Sequence, residues 1–171
     1  MINYLNELID AGVTSFKVEG RMKSVYYVAT VINAYRRAID SVLNGKPLDA
    51  VLIEELEKTS HRRYTTGFYF KANDKEYLED SMPIQTHEFM ALVKEDASNG
   101  YAIIEQRNRF KIDDELEILS TTDTFNKIIV VEEMLDENNE QVEDANKVQQ
   151  TLKLKTDYSL KRGDILRKRL K

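Results

Sequence analysis

Val13-Thr14-Ser15-Phe16-Lys17-Val18-Glu19-Gly20-Arg21-Met22-Lys23-Ser24 runs from a short apolar stretch through a charged loop to a residue suited to start a helix. Val13 to Val18 reads as a strand and Glu19 to Lys23 as the loop after it. Ser24 reads as an N-cap, whose hydroxyl can accept from the otherwise unpaired amides of the first helical turn. Downstream, Val28, Val31 or Ile32, Tyr35, Ala38 or Ile39, and Val42 recur at helical spacing, which predicts a helix from Val25 to about Leu43. Asn44-Gly45 stops it and Pro47 prevents its resumption. Asp49 is placed to cap a second helix from Ala50 to about Thr59. Upstream, Leu5, Leu8 and Ile9 share one face of a short helix, Tyr4 to Ala11, ended by Gly12. A strand flanked only by helices has no partner nearby, and its backbone groups would be costly to bury unpaired. Its neighbours are therefore expected upstream of Met1.

Beyond Phe70 the pattern changes. Lys71 to Pro83 is polar and reads as a linker. Strand-like runs follow at His87–Lys94, Tyr101–Gln106, Glu115–Leu119, Ile128–Leu135, Val148–Lys155 and Asp164–Arg167, with turn chemistry at Asn99-Gly100 and Asp136 to Asn139. About six short strands so spaced suggest a small antiparallel barrel or sandwich. The expected fold class is α+β: a terminal βα piece of a TIM-like barrel with two helices, followed by a small antiparallel β-barrel. The expected domains are 1–79 and 80–171.

The chain has 171 residues and no cysteine, so this segment offers no disulfide, thiolate metal site or cysteine-ligated cluster. Its two histidines, His61 and His87, are far apart in sequence, and no metal site is expected. No apolar run is long enough to span a membrane, and the N-terminus lacks signal-peptide features. A cytoplasmic location without membrane partners is expected. The formal net charge of −5 argues against generic nucleic-acid binding. The acidic run from Glu132 to Asp144 lacks calcium-loop spacing and reads as a solvated hairpin tip. The basic end, Lys161 to Lys171, reads as a solvated tail, or as one that could touch phosphate.

Two stretches carry candidate chemistry. In a βα barrel the loop after a strand lies on the face where active sites are built. Arg21 and Lys23 would there stand beside a helix N-terminus and suit an anionic ligand. Glu19 could hold Arg21 or move a proton. Glu19, Arg21 and Lys23 are thus the candidate catalytic residues, although an Arg–Glu pair tying loop to barrel explains the same spacing. In His61-Arg62-Arg63-Tyr64-Thr65-Thr66-Gly67-Phe68, two arginines, an aromatic ring and hydroxyls could grip an RNA backbone or an acidic metabolite. A packed segment with exposed arginines is the blander reading. Arg21, Lys23, Arg62, Arg63 and Tyr64 are the candidate substrate contacts. Arg107-Asn108-Arg109 reads as an ordinary charged turn.

The stretch from Leu8 to Ser24, together with Tyr26-Tyr27-Val28-Ala29, Tyr35-Arg36-Arg37-Ala38-Ile39-Asp40 and Arg63-Tyr64-Thr65-Thr66-Gly67-Phe68-Tyr69-Phe70, closely resembles the end of the conserved domain in peptidase family U32, the collagenase-like proteins. Ala102 to Phe110 resembles that family's C-terminal β-barrel. The resemblance covers nearly the whole chain. It implies a TIM-like catalytic domain and an enzymatic parent, either a nominal peptidase or an RNA hydroxylase. The hydroxylases of the family act on the wobble uridine of tRNA, forming 5-hydroxyuridine, or on a ribosomal cytidine, with prephenate as a suggested requirement. Related members use an iron–sulfur cluster in ubiquinone hydroxylation. The family's cysteine-bearing signature and most of its barrel have no counterpart here, Val25 replaces the usual Pro after Lys-Ser, and Asp113-Asp114 stands where Gly-Asp is common.

The leading expectation is therefore the C-terminal portion of a tRNA-hydroxylating parent, inactive alone, partnered by an N-terminal catalytic domain and by tRNA or other RNA that the β-barrel helps to dock. The alternatives are the substrate-binding region of a collagenase-like peptidase and a stand-alone binding module.

Overall fold

Residues 1–70 and 83–170 are described in the computed structural model, which divides after Thr86 into two units. The expected linker, apart from Pro83, lies outside the described residues. In the first unit a 3-10 turn, Ile2–Tyr4, leads into α1, Leu5–Asp10. Gly12 ends α1 at a φ of 88°, with its N–H donating to Ile9 O and the next amide to Leu8 O. Glycine takes this left-handed conformation at little cost. Helix α2 spans Val25–Leu43. Ser24 Oγ accepts from Tyr27 N at 3.2 Å, as an N-cap should. Gly45 follows the helix at a φ of 64°. The second predicted helix is shorter than expected: α3 is Val51–Leu56, with Asp49 Oδ1 accepting from Val51 N.

Val13 to Val18 forms no strand with any described residue, and most of its residues are exposed or half-buried. A lone extended segment cannot form a ladder without a partner. Of the expected α2 stripe, Val31 and Ala38 are buried, Tyr35, Ile39 and Val42 are half-buried, and Val28 is exposed. Tyr26, Thr30, Val31, Ala34 and Ala38 are buried, whereas Val28 and Ile32 are exposed. Thr30 and Asn33 are buried on this face as well, and polar positions give no signal in an apolar periodicity. Ala34 and Ala38, one turn apart, admit close helix packing, and Tyr26 Oη reaches past α3 to Lys58 O at 3.0 Å.

The second unit is a curled antiparallel sheet. Its strands are β1 (His87–Val93), β2 (Tyr101–Gln106), β3 (Phe110–Lys111), β4 (Glu115–Leu119), β5 (Ile128–Val130), β6 (Met134–Leu135), β7 (Asp144–Ala145), β8 (Thr151–Lys155) and β9 (Ile165–Arg169). Seven of them form one sheet in the order β5-β4-β9-β1-β2-β8-β6, and β3 pairs with β7. The outermost strands, β5 and β6, are joined only by residues 131–133. Four Cα steps reach at most about 14 Å, whereas seven flat strands would separate their edges by about 29 Å. The sheet must curl. Val131 exchanges backbone bonds with Asp113 and Asp114, and Glu133 O accepts from Lys155 N. One continuous segment therefore bonds first beside β4 and then beside β8. Alternating side chains from these strands, among them Met90, Ile104, Leu116, Ile118, Leu154 and Leu166, fill the interior.

The turns follow local chemistry. Asn99 and Gly100 take φ of 52° and 81° between the reciprocal bonds of Ser98 and Tyr101, the two-residue hairpin their sequence implies. Asp113 adopts a φ of 67°, so an aspartate holds the left-handed position that glycine fills more easily. Asp136 Oδ1 accepts from Asn138 N and Glu140 N, which closes the exposed acidic hairpin tip.

The basic end is not a tail. It contains β9, which lies inside the sheet between β4 and β1. Arg167 is fully buried: its Nε donates to Glu117 Oε1 at 2.7 Å, and a terminal nitrogen donates to Asn126 Oδ1 at 2.8 Å. His87 Nε2 lies 3.9 Å from the other Glu117 oxygen. Asp164, before β9, is buried too and accepts from Lys161 N at 2.8 Å. Burial pushes its carboxyl above the ordinary range, against the hydrogen bonds from Lys161 and Ser120.

Removing one partner of a buried ion pair leaves the other uncompensated. Arg167→Ala is expected to destabilise the β-unit by about 3–5 kcal/mol in denaturant titrations; a loss near zero would show that the pair carries no weight. For Asp164, the raised folded-state pKa means that the fold binds this proton more tightly than the unfolded chain does. Its ionised form thus costs stability above that pKa, and the cost disappears on acidification. Asp164→Asn keeps the amide-accepting oxygen. Wild-type stability minus variant stability should rise as pH falls from neutral through the carboxylate range, and a flat difference would contradict this assignment.

Candidate functional site

The loop from Glu19 to Lys23 is shaped by two constraints. Gly20 packs against α2 so closely that a Cβ would lie 2.8 Å from Val28 Cγ2, which leaves no room for a side chain. Its carbonyl accepts from Lys23 N at 2.9 Å, turning the chain towards Ser24 and the helix. Glu19 Oε1 accepts from the backbone N–H of Arg21 at 2.9 Å. Glu19 thus positions Arg21 through the main chain. Arg21, Met22 and Lys23 project into solvent, Met22 with 91% of its surface exposed. Lys23 Nζ lies 4.8 Å from the centroid of the Tyr27 ring, within cation–π range.

Tyr27 leads from this loop into a groove of about 490 Å3. Tyr27, Tyr35, Tyr64 and Tyr69 line it, with Phe16, Val18 and Glu19 from the extended segment and Leu5 and Leu8 from α1. Burial raises the Tyr35 hydroxyl pKa, and neighbouring Tyr27 adds to the effect. Burial raises that of Tyr64 further, with Tyr27, Tyr35 and Glu57 contributing. These two phenols therefore remain protonated across the physiological range. The Tyr64 ring is fixed from both sides: its hydroxyl donates to Leu56 O at 3.0 Å, and its face stacks on His61 with ring centroids 4.2 Å apart and planes 12° apart. His61 is buried, with Nδ1 2.6 Å from Arg62 O and no hydrogen-bond partner on Nε2.

The structure brings Glu19 and Tyr64 to one groove and places Lys23 beside its wall. Arg62 and Arg63 are exposed on the same 61–70 segment but do not line the groove. Phe68, in that segment, has 97% of its surface exposed. Sequence reasoning missed Tyr27, Tyr35 and Tyr69 as site residues. The spacing of the first two was a usable signal, because positions eight apart share a helix face.

In the β-unit, charge is largely neutralised internally. Arg107 pairs with Glu105, Arg109 with Asp144, Lys155 with Glu132, Lys161 with Asp96 and Lys168 with Asp114. The guanidinium of Arg109 holds the Asp144 carboxyl below its usual range. Arg107 to Arg109 is thus the charged turn its sequence suggests. Among the described residues no group of three or more His, Asp or Glu side chains could hold a metal, and no helix is long and apolar enough to cross a membrane. With no cysteine, this chain's own donor set does not fit a cysteine-ligated cluster.

Comparison with known proteins agrees with this division. Residues 1–79 match the model of peptidase family U32, and residues 85–167 match that of the peptidase family U32 C-terminal domain. The tRNA hydroxylation protein P of Haemophilus influenzae is 33% identical over 148 residues, covering 84% of this chain and 32% of that protein. The tRNA hydroxylation protein P1 of Bacillus subtilis is 30% identical over 175 residues, covering 98% of this chain and 41% of that protein. A collagenase of Porphyromonas gingivalis is 35% identical over 71 residues, covering 40% of this chain and 17% of that protein. The chain thus spans well under half the length of these relatives.

The Gly20 contact yields a test. Gly20→Ala should destabilise the first unit by about 1–2 kcal/mol, as overpacking does. Adding Val28→Ala, which removes the obstructing methyl, should recover most of the loss. If the two losses simply add, close packing is not what requires glycine here.

Proposed function

The chain belongs to peptidase family U32, and from that premise we propose that it takes part in tRNA hydroxylation, within an enzyme that forms 5-hydroxyuridine at the wobble position. The observation that carries this reading is the exposed Arg21–Lys23 loop beside a tyrosine-lined groove, within a region related to two proteins named for tRNA hydroxylation. Cations at a helix N-terminus favour anions. Arg21 and Lys23 would meet either RNA phosphate or the carboxylates of a prephenate-like co-substrate. Glu19 would hold the loop in shape and is placed to exchange a proton at the groove wall. Arg62 and Arg63 would extend the phosphate track.

In the β-unit, Arg107, Arg109, Lys155, Lys161 and Lys168 already face carboxylates at 2.5–3.4 Å, which leaves Lys111, Lys127, Lys147, Arg162 and Arg169 as the exposed cations that could meet phosphate there. The similarity to a collagenase supports a peptidase as the second reading. Among the described residues, no hydrogen bond joins the groove's Ser15 hydroxyl to a base that would favour it.

The test is mass spectrometry of tRNA nucleosides from cells with and without the gene. Deletion should abolish or deplete hydroxyuridine derivatives, and the wild-type gene should restore them. Arg21→Ala combined with Lys23→Ala should lower restoration about 10-fold, on the scale of a lost charge-assisted hydrogen bond. An unchanged nucleoside profile, with any paralogue also deleted, would overturn the reading.

A further inference from the structure

Asn-Gly occurs twice in this chain, at Asn44-Gly45 and at Asn99-Gly100, and the fold holds the two pairs differently. The dipeptide carries its own chemistry. The backbone nitrogen after an asparagine can attack the side-chain amide carbon, and a following glycine puts no side chain in the way. In a folded chain, the bonds that hold the reacting groups decide whether it does so.

At Asn44 both groups are held. The side-chain nitrogen donates to Asp40 O at 2.7 Å, and Gly45 N donates to Val42 O at 2.9 Å. These bonds belong to the end of α2, where Lys46 N also donates to Ser41 O. At Asn99 neither group is held: among the described residues, the Asn99 side chain and the Gly100 N–H have no hydrogen-bond partner. Exposure does not separate the sites, because all four residues are exposed. Reciprocal bonds between Ser98 and Tyr101 close the Asn99 turn, and Thr156 N donates to Gly100 O. The Ser98–Tyr101 pair is an isolated bridge outside the β1–β2 ladder, so the turn can open without unzipping that ladder.

We propose that Asn99 is a site of spontaneous deamidation in the folded protein and that Asn44 is protected. Gly100 N gives up its proton to hydroxide and forms a bond to Asn99 Cγ. The Cγ–Nδ2 bond breaks, and the nitrogen takes a proton from water and leaves as ammonia. Water then opens the resulting cyclic imide at either carbonyl, giving aspartate or isoaspartate. No oxidant, reductant or cofactor takes part. In isoaspartate the main chain runs through the former side chain and gains one methylene. A two-residue turn closed by reciprocal bonds has no place for the extra atom. The isoaspartyl form therefore loses the Ser98–Tyr101 bridge at the start of β2.

The experiment incubates the full chain in mildly alkaline buffer, folded or in guanidinium chloride, and digests it with trypsin. Asn44 and Asn99 then lie in separate peptides, 38–58 and 95–107, and mass spectrometry follows conversion of amide to acid in each. In the folded chain Asn99 should react at least about 10-fold faster than Asn44, the scale of the two further hydrogen bonds that must break at Asn44. In denaturant the two rates should converge, because only the fold separates them. Hydrogen exchange reads the consequence. The Ser98 and Tyr101 amides of the isoaspartyl fraction should exchange about 10-fold faster than in the unaged chain. Asn99→Asp, which adds the charge without lengthening the main chain, should leave them protected. Equal rates at the two sites in the folded chain would overturn the proposal. So would an intact Asn99 in folded protein after the denatured chain has fully reacted, or unchanged exchange in the isoaspartyl fraction.

Discussion

A three-residue link cannot cross the width of a flat seven-stranded sheet, and the β-unit is organised around that limit. Because β5 and β6 are consecutive in the chain yet outermost in the strand order, the sheet must curl until the segment from Ile128 to Leu135 touches both β4 and β8. The curl encloses the apolar side chains and covers edges that would otherwise offer unpaired backbone groups. It also places β9 in the middle of the sheet. Arg167, part of what reads in sequence as a charged tail, is thereby buried and must find Glu117 and Asn126. Asp164 is buried by the same placement of β9 and carries its cost as a raised pKa.

The helical unit depends on a different closeness. Ala34 and Ala38 are small, fully buried side chains of α2, and Gly20 lets the preceding loop lie against Val28. Ser24 then starts the helix at a defined point. Together these contacts fix where Tyr27 emerges, and Tyr27 is where the cationic loop and the aromatic groove meet. The loop's charges are exposed while its main chain is held by Glu19 and Gly20.

Both units combine ion pairs with exposed cations. In the β-unit, Arg107, Arg109, Lys155, Lys161 and Lys168 face carboxylates of the same unit, while Lys111, Lys127, Lys147, Arg162 and Arg169 are exposed. In the helical unit, Arg21, Lys23 and Arg62 stand exposed. A net-acidic chain can therefore still present a local basic rim, because attraction over a few ångströms is set by nearby groups and more distant ones are screened.

Local patterns were legible in the sequence because they are enforced by neighbours along the chain. Ser24 caps, Gly12 and Gly45 terminate, Asn99-Gly100 turns, and period-two runs become β1, β2 and β4. The family motifs around Glu19 to Ser24 and Arg63 to Phe70 were legible for the same reason. Other features required the fold. Periodicity indicated Val31 and Ala38 on α2, but only packing decided that Tyr26, Thr30 and Ala34 are buried with them while Val28 is exposed. The stretch Val13 to Val18 had strand character but no described partner, and a ladder needs two strands. The very short strands β3 and β7 have too few residues for a pattern and exist because the curl brings Phe110 opposite Ala145. The groove joins residues from α1, the extended segment, α2 and the 61–70 segment, which are separated by tens of residues. Sequence determines local conformation because torsions and hydrogen bonds act over a few residues; which distant side chains share a surface is decided only when burial brings their elements together.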